Sequence, residues 1–185
     1  MSGSRPELLL HVCCGPCSTE VIERLASENY LVLFFFNPNI FPAEEHDRRL
    51  AEAERYAVSH GHRFVPGERD HDRWLAAVKG LEGEPEGGKR CAVCFAFRLE
   101  AAAEKAREEG AGLFSTTLTI SPHKNAASVN AAGEEAGRKA GVRFLAADFK
   151  KKDGFLRSCR LAKEAGMYRQ EYCGCEFSNP ARKNA

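Results

Sequence analysis

Nothing in the sequence approaches the ~20 consecutive apolar residues that a membrane-spanning helix needs. The early run Leu8-Leu-Leu10 is also too short for the core of a secretory signal. These absences predict a cytoplasmic protein with no membrane partner, in a reducing compartment where structural disulfides are not expected. There is no internal repeat and no low-complexity segment. A chain of 185 residues then reads as a single α/β domain over 1–185, long enough to bury a real core without cysteine staples. Net charge is scarce as well, only +1. The small total hides an asymmetry: residues 1–149 hold 18 Lys and Arg against 22 Asp and Glu, whereas 150–185 hold 9 against 4. The basic end can meet a phosphate backbone or can be a solvated helix face.

What the chain does have is cysteine. Seven of its eight stand in tight groups: Cys13-Cys14-Gly-Pro-Cys17, Cys91-Ala-Val-Cys94 and Cys173-Gly-Cys175. Grouped thiols in a soluble chain point to a metal, a cluster or dithiol redox chemistry, with plain buried cysteine as the alternative.

Apolar runs alternate with helical spacing. Leu8–Val12, Leu31–Phe36, Arg63–Val65, Leu113–Thr117 and Val142–Leu145 read as strands. Thr19–Glu28, Pro42–His60, His71–Lys79, Cys91–Glu109, Asn125–Ala140 and Phe155–Ala165 read as helices, and Gly80–Lys89 as a mobile loop. The pattern predicts an α/β fold, a Rossmann-like (PP-loop/HUP-like) parallel sheet with helices on both faces. A C-terminal helical segment carries the last cysteines, so that 150–185 is a basic segment completing the active site. In such sheets sites gather at the carboxyl ends of the strands. Cys13, Asn37, Asn39, Ser121, His123, Lys124 and Asp148 each follow a strand and are expected to meet there.

Cys91 and Cys94 share one side of a helical turn, where the helix N-terminus favours thiolate charge. With Cys13 and Cys14 they offer four thiolates, the set for an iron–sulfur cluster or a tetrahedral zinc. Adjacent ligands suit an irregular turn around a large cluster better than a zinc ribbon. Cys14-Gly-Pro-Cys17 has the letters of a thioredoxin site, but that reading leaves five grouped thiols without a role. Cys173 and Cys175, with only Gly174 between them, can close a small strained ring of the labile, catalytic kind, or both can ligate a metal. Cys159 stands alone and is expected to pack. The Gly/Ser-rich phosphate loop of nucleotide-binding enzymes is absent after the first strand, which argues against ATP use.

Taken together, six segments resemble the cobalamin-independent epoxyqueuosine reductases of the QueH family. They are His11-Val-Cys-Cys-Gly-Pro-Cys-Ser18, Phe36-Asn-Pro-Asn-Ile40, Arg90-Cys-Ala-Val-Cys94 with Arg98-Leu99, Thr116-Thr-Leu-Thr-Ile-Ser-Pro122, Asp148-Phe-Lys-Lys151 and Tyr168-Arg-Gln-Glu-Tyr-Cys-Gly-Cys175. The resemblance runs from Leu8 to Ser178. It implies the last step of queuosine synthesis: reduction of the epoxide of epoxyqueuosine, at the wobble position of the tRNA anticodon, to a cyclopentene with loss of water. It further implies a [4Fe–4S] cluster on Cys13, Cys14, Cys91 and Cys94, an additional iron ion for which Cys17 is the candidate ligand, and a redox-active pair at Cys173 and Cys175. The iron would serve as a Lewis acid towards the epoxide, electrons would arrive through the cluster, and an external electron donor would reset the pair. The rival readings are a zinc-stabilised RNA-binding module without catalysis and a generic dithiol reductase.

On this resemblance the polar residues acquire two readings each. Asn37 and Asn39 bond the nucleoside or build a turn. Thr116 and Thr117 bond a ribose or phosphate, or are ordinary strand residues. Ser121, His123 and Lys124 meet the substrate, with His123 or Lys124 a candidate proton source, or form a surface loop. Asp148 orients a ligand or acts as an acid, or caps a turn. Lys150, Lys151, Lys152, Arg157 and Arg169 grip the anticodon stem, and Tyr168 and Tyr172 stack a base or belong to the core.

Overall fold

The computed structural model describes residues 5–178. Five parallel strands form one sheet in the order β3-β2-β1-β4-β5. The strands are β1 (Glu7–His11), β2 (Tyr30–Phe35), β3 (Arg63–Pro66), β4 (Leu113–Thr116) and β5 (Arg143–Phe144). Between them run α1 (Gly15–Ala26), α2 (Ala43–Ser59), α3 (His71–Ala77), α4 (Lys89–Glu108) and α5 (Ala126–Ala140), and α6 (Gly154–Glu164) follows the last strand. No helix among the described residues is long and apolar enough to cross a membrane.

The two-residue period of a strand explains why a continuous apolar run is needed here. Leu8, Leu10 and Val12 face one layer of core with Val21 and Ile22 of α1 and Ala53 and Tyr56 of α2. Leu9 faces the opposite layer with Leu99 and Ala102 of α4 and Val129 of α5. Leu8, Leu9 and Leu10 are all fully buried, each contributing about 2 kcal/mol by that burial. A third, smaller cluster joins Trp74 and Val78 to Cys94 and Cys175.

Several boundaries differ from the sequence reading, and the differences matter for the site. Helix α1 starts at Gly15, with Cys14 as its N-cap and Pro in its first turn, so Cys17 lies on the helix. Helix α4 starts at Lys89, placing Cys91 and Cys94 in its first two turns. Strand β4 ends at Thr116, and Thr117 opens a short 3-10 turn through Ile120. Of residues 80–89, expected to be a mobile loop, 80–88 form turns whose carbonyls converge on buried Arg90, and Lys89 already belongs to α4: Arg90 Nη1 donates to Leu81 O at 3.2 Å, Glu82 O at 2.9 Å and Glu84 O. Cys173 and Cys175 lie beyond α6 on an irregular segment that closes in a 3-10 turn over Glu176–Ser178.

Sheet order reverses beside β1, whose neighbours β2 and β4 lead outward in opposite directions. The crevice at such a switch point lies outside the carboxyl ends of the strands. Cys13 follows β1 there, and Thr117 follows β4.

Candidate metal and redox site

The two strand ends are tied together at this crevice. The Cys13 backbone N–H donates to Thr117 Oγ1 at 3.0 Å, and that hydroxyl reaches the Cys13 sulfur at 3.1 Å. Thr116 Oγ1 meets His11 Nδ1 at 2.9 Å, while His11 Nε2 lies 3.1 Å from Phe36 O. Burial, aided by the Arg98 charge, drives His11 down to about 3, so its ring is a neutral strut. Asn37 Nδ2 donates to Val12 O at 2.9 Å, and Arg98 donates to Asn37 Oδ1. His11, Asn37 and Thr116 thus spend their polar atoms fixing the crevice. Asn39 is buried as well, and its Oδ1 has no partner among the described residues.

Beside these struts lies a cavity of about 340 Å³. Cys13, Cys14, Cys17, Cys159 and Cys173 all line it, together with Arg98, Ser121, His123, Lys124, Arg169, Gln170 and Tyr172. Cys173, Lys124, His123 and Glu86 also border an adjoining recess of about 40 Å³, whose wall includes Cys91. Cys159 therefore faces the cavity and does not pack in the core as its isolation suggested.

The sulfurs of Cys13, Cys14 and Cys17 lie within 4.8 Å of one another. Contacts with Cys14 and Cys17 hold the Cys13 thiol well below its ordinary range, and contacts with Cys13 and Cys14 push Cys17 up. Burial raises Cys14 to about 12. Three buried sulfurs this close together repel one another when ionised, and a cation shared among them would offset that repulsion. Cys94 is buried in the third cluster, and that burial pushes it up to about 11; Cys91 is raised for the same reason. Neither belongs to the compact trio.

Polar hydrogens surround this sulfur set. Gln170 Nε2 donates to Cys14 Sγ at 3.0 Å, and the Gly87 backbone N–H to Cys91 Sγ at 3.2 Å. Trp74 Nε1 and Arg98 Nε are buried without an oxygen or nitrogen acceptor among the described residues, and both flank the Cys94 sulfur. Orphaned buried donors are costly unless they face negative charge. Burial opposes the Lys124 charge, but Cys173, Cys13 and Cys17 outweigh it and raise its pKa. An all-sulfur donor set, N–H groups aimed at it and two cations beside it fit a thiolate-bound metal or iron–sulfur cluster.

The remaining expected residues fall into two groups. Ser121, His123, Lys124, Arg169 and Tyr172 border the cavity. Asp148 lies outside its wall and pairs with Lys150 at 3.0 Å. Lys150 also reaches the carbonyls of Thr119 at 3.4 Å and Lys124 at 3.3 Å. Arg157 pairs with Glu20 at 3.0 Å and Glu23 at 3.3 Å. Tyr168 bonds Glu45 at 3.0 Å with Arg48 over its ring, and the Tyr172 hydroxyl donates to Phe41 O at 2.5 Å. Lys151 is exposed. Sequence reasoning assigned no role to Arg49, Arg90, Arg98 or Gln170; only the conspicuous placing of Arg90 and Arg98 around Cys91 and Cys94 hinted at two of them.

Comparison with known proteins bears on this arrangement. The profile of the family described as epoxyqueuosine reductase QueH matches residues 8–181. Relatives named epoxyqueuosine reductase QueH include one from Streptococcus pyogenes serotype M1, 39% identical over 94% of this chain and 71% of its own length. Another, from Thermotoga maritima, is 38% identical over 92% of this chain and 89% of its own. Among solved structures, a U34-tRNA thiolase, NcsA, from Methanococcus maripaludis with its [4Fe–4S] cluster superposes with a TM-score of 0.60 at 12% identity. It covers 98% of this chain, which spans 64% of the thiolase. A predicted subunit of tRNA methyltransferase from Methanocaldococcus jannaschii superposes equally, at 0.60 and 12%, over 90% and 93% of the two chains. At that identity the two structures speak for the α/β fold. The sequence relationships go further: this chain belongs to the epoxyqueuosine reductase QueH family.

Proposed function

We propose that this chain reduces the epoxide of epoxyqueuosine in tRNA, completing queuosine. The observation that carries the reading is the family match, which spans every cysteine group, combined with five thiols on the wall of one cavity. Cys13, Cys14, Cys91 and Cys94 would hold a [4Fe–4S] cluster, and Cys17 would help hold an iron ion beside it. When bound, these groups supply one-electron relay and a Lewis-acid site.

The protein's own residues do the rest. His11, Asn37, Thr116 and Thr117 keep the crevice rigid. Lys124 and Arg98 bring positive charge to the cavity wall, where it holds thiolates and attracts an anionic substrate. Cys173 and Cys175 supply the reducing equivalents. Two thiols become one disulfide and release two electrons and two protons. The two C–O bonds of the epoxide break, a C=C bond forms, and the oxygen leaves as water. An external electron donor then restores the dithiol. Exposed Lys151 and Arg169 meet the phosphate backbone around the target nucleoside.

Anaerobic purification followed by visible spectroscopy with iron and sulfide assays tests the cofactor assignment. We expect a brown protein with about four irons and four sulfides, or slightly more iron. A colourless zinc protein, even after anaerobic reconstitution, would contradict it.

A further inference from the structure

Arg49 lies on α2, far in sequence from every cysteine group, yet it is only 2% exposed. A buried guanidinium needs partners for its donors. Glu45, one helical turn earlier, accepts from Nε at 2.6 Å. The other two bonds go to the backbone of the terminal segment: Nη1 donates to Cys173 O at 3.0 Å and Nη2 to Tyr172 O at 3.2 Å. The fork thus grasps two consecutive carbonyls, a geometry that lysine cannot reproduce.

The same segment is held from its other side. Phe41 N–H donates to Gly174 O at 2.9 Å. Gly174 has φ of 130°, and a Cβ there would stand 3.0 Å from Arg49 Nη1. Glycine therefore lets the chain turn between the two thiols and lets the guanidinium approach. The outcome is an asymmetric pair. Cys173 borders the cavity, whereas Cys175 is buried against Trp74 and Cys94.

We propose that Arg49 is the positioning residue of the dithiol: its grip on the carbonyls of Tyr172 and Cys173 presents Cys173 to the substrate cavity as the reacting thiol and keeps Cys175 buried as its resolving partner. This rests on the reading of Cys173 and Cys175 as the two-electron source.

The test compares alkylation of individual thiols in the folded, anaerobically prepared protein, read by peptide mass spectrometry, with the reduction potential of the pair. Cys159, on the same cavity wall but outside Arg49's reach, is the internal standard. In the native protein Cys173 should react faster than Cys175. Arg49→Gln should lower the Cys173 to Cys175 ratio by about tenfold, the scale of a lost charged hydrogen bond. The Cys159 rate and the iron and sulfide content should be unchanged, the potential of the pair should shift, and kcat should fall with little change in KM. Glu45→Gln, which weakens the anchor of the guanidinium while its amide oxygen can still accept from the Tyr168 hydroxyl, should give a smaller change in the same direction and serves if Arg49→Gln fails to fold. An unchanged ratio and potential in both variants would overturn the proposal. A uniform rise at all three thiols would also overturn it, because that marks general loosening. A separate Cys173→Ser variant that still performs multiple turnovers would sink the two-electron role itself, and the labelling ratio would still decide what Arg49 does.

Discussion

Arginines 49, 90 and 98 are each 2% exposed, and each is buried at a cost that only a dense set of partners offsets. Arg98 donates to Asn37 Oδ1 and faces Cys13 and Cys94. Arg98→Met should leave that amide oxygen unpaired and cost about 2 kcal/mol in urea unfolding, with lower iron retention on gel filtration. An unchanged midpoint would mean that the buried bond contributes nothing. His46 gives a pH prediction of definite sign. It is buried on α2 with its ring edge against Phe35, and burial lowers its pKa below 6.5. Below 6.5 the unfolded chain then binds more protons at this site than the folded one. The contribution is present above pH 6.5 and lost as pH falls through that value. His46→Gln should show a shallower loss of stability than the native protein between about pH 7 and about pH 5.5, measured by urea unfolding. Equal slopes would contradict the assignment.

At the level of elements, α6 deserves a test because its Phe155, Ser158, Cys159 and Ala162 form one wall of the cavity. The helix starts at Gly154, where a Cβ would stand 1.9 Å from Phe149 O. Gly154→Ala should displace the start of the helix and cost about 2 kcal/mol, and it should impair turnover more than a surface change of equal size. Gly137→Ala on α5 is the comparison. Its Cβ would meet Val142 O at 2.5 Å, with a similar stability cost but no shift of the cavity wall. Matched activity losses in the two variants would contradict the role given to α6. These elements were largely legible from sequence: the apolar runs of β1 and β2 and the 3.6-residue spacing of the long helices are strong periodic signals. The gathering of Cys13, Ser121, His123 and Lys124 at one cavity was legible too, since parallel order sends all strand ends to one edge, whereas the bond of Cys13 to Thr117, read as a strand residue, was not. What stayed hidden depends on contacts with no local signature. Arg49 and Cys173 are separated by 124 positions, and nothing near Arg49 distinguishes it from a solvated helix arginine. Residues 80–89 looked loose because Gly and Glu dominate them, but their order comes from Arg90. Asn37 was visible as a polar residue at the right edge, and His11 and Arg98 as members of the motifs, but their pairing, Arg98 with Asn37 and His11 with Thr116, was not.

For the whole molecule, the basic C-terminal segment is partly committed to the fold. Lys150 and Arg157 are engaged internally, leaving Lys151, Lys152 and Arg169 exposed. Affinity for tRNA should fall with salt at a log–log slope of about −3, as about three neutralised phosphates on a duplex stem would give. Lys151→Ala with Lys152→Ala should make that slope shallower, whereas Lys150→Ala should chiefly lower stability. Binding that is insensitive to salt in a filter assay would contradict a backbone grip by this segment.

The central claim is the reduction itself, and a single anaerobic turnover tests it most directly. Reduced protein is mixed with excess-free tRNA bearing epoxyqueuosine, and the nucleosides are read by mass spectrometry. The account predicts conversion to queuosine, with one Cys173–Cys175 disulfide formed per nucleoside converted when no external donor is present. Unchanged epoxyqueuosine from a protein carrying its full iron and sulfide would contradict it.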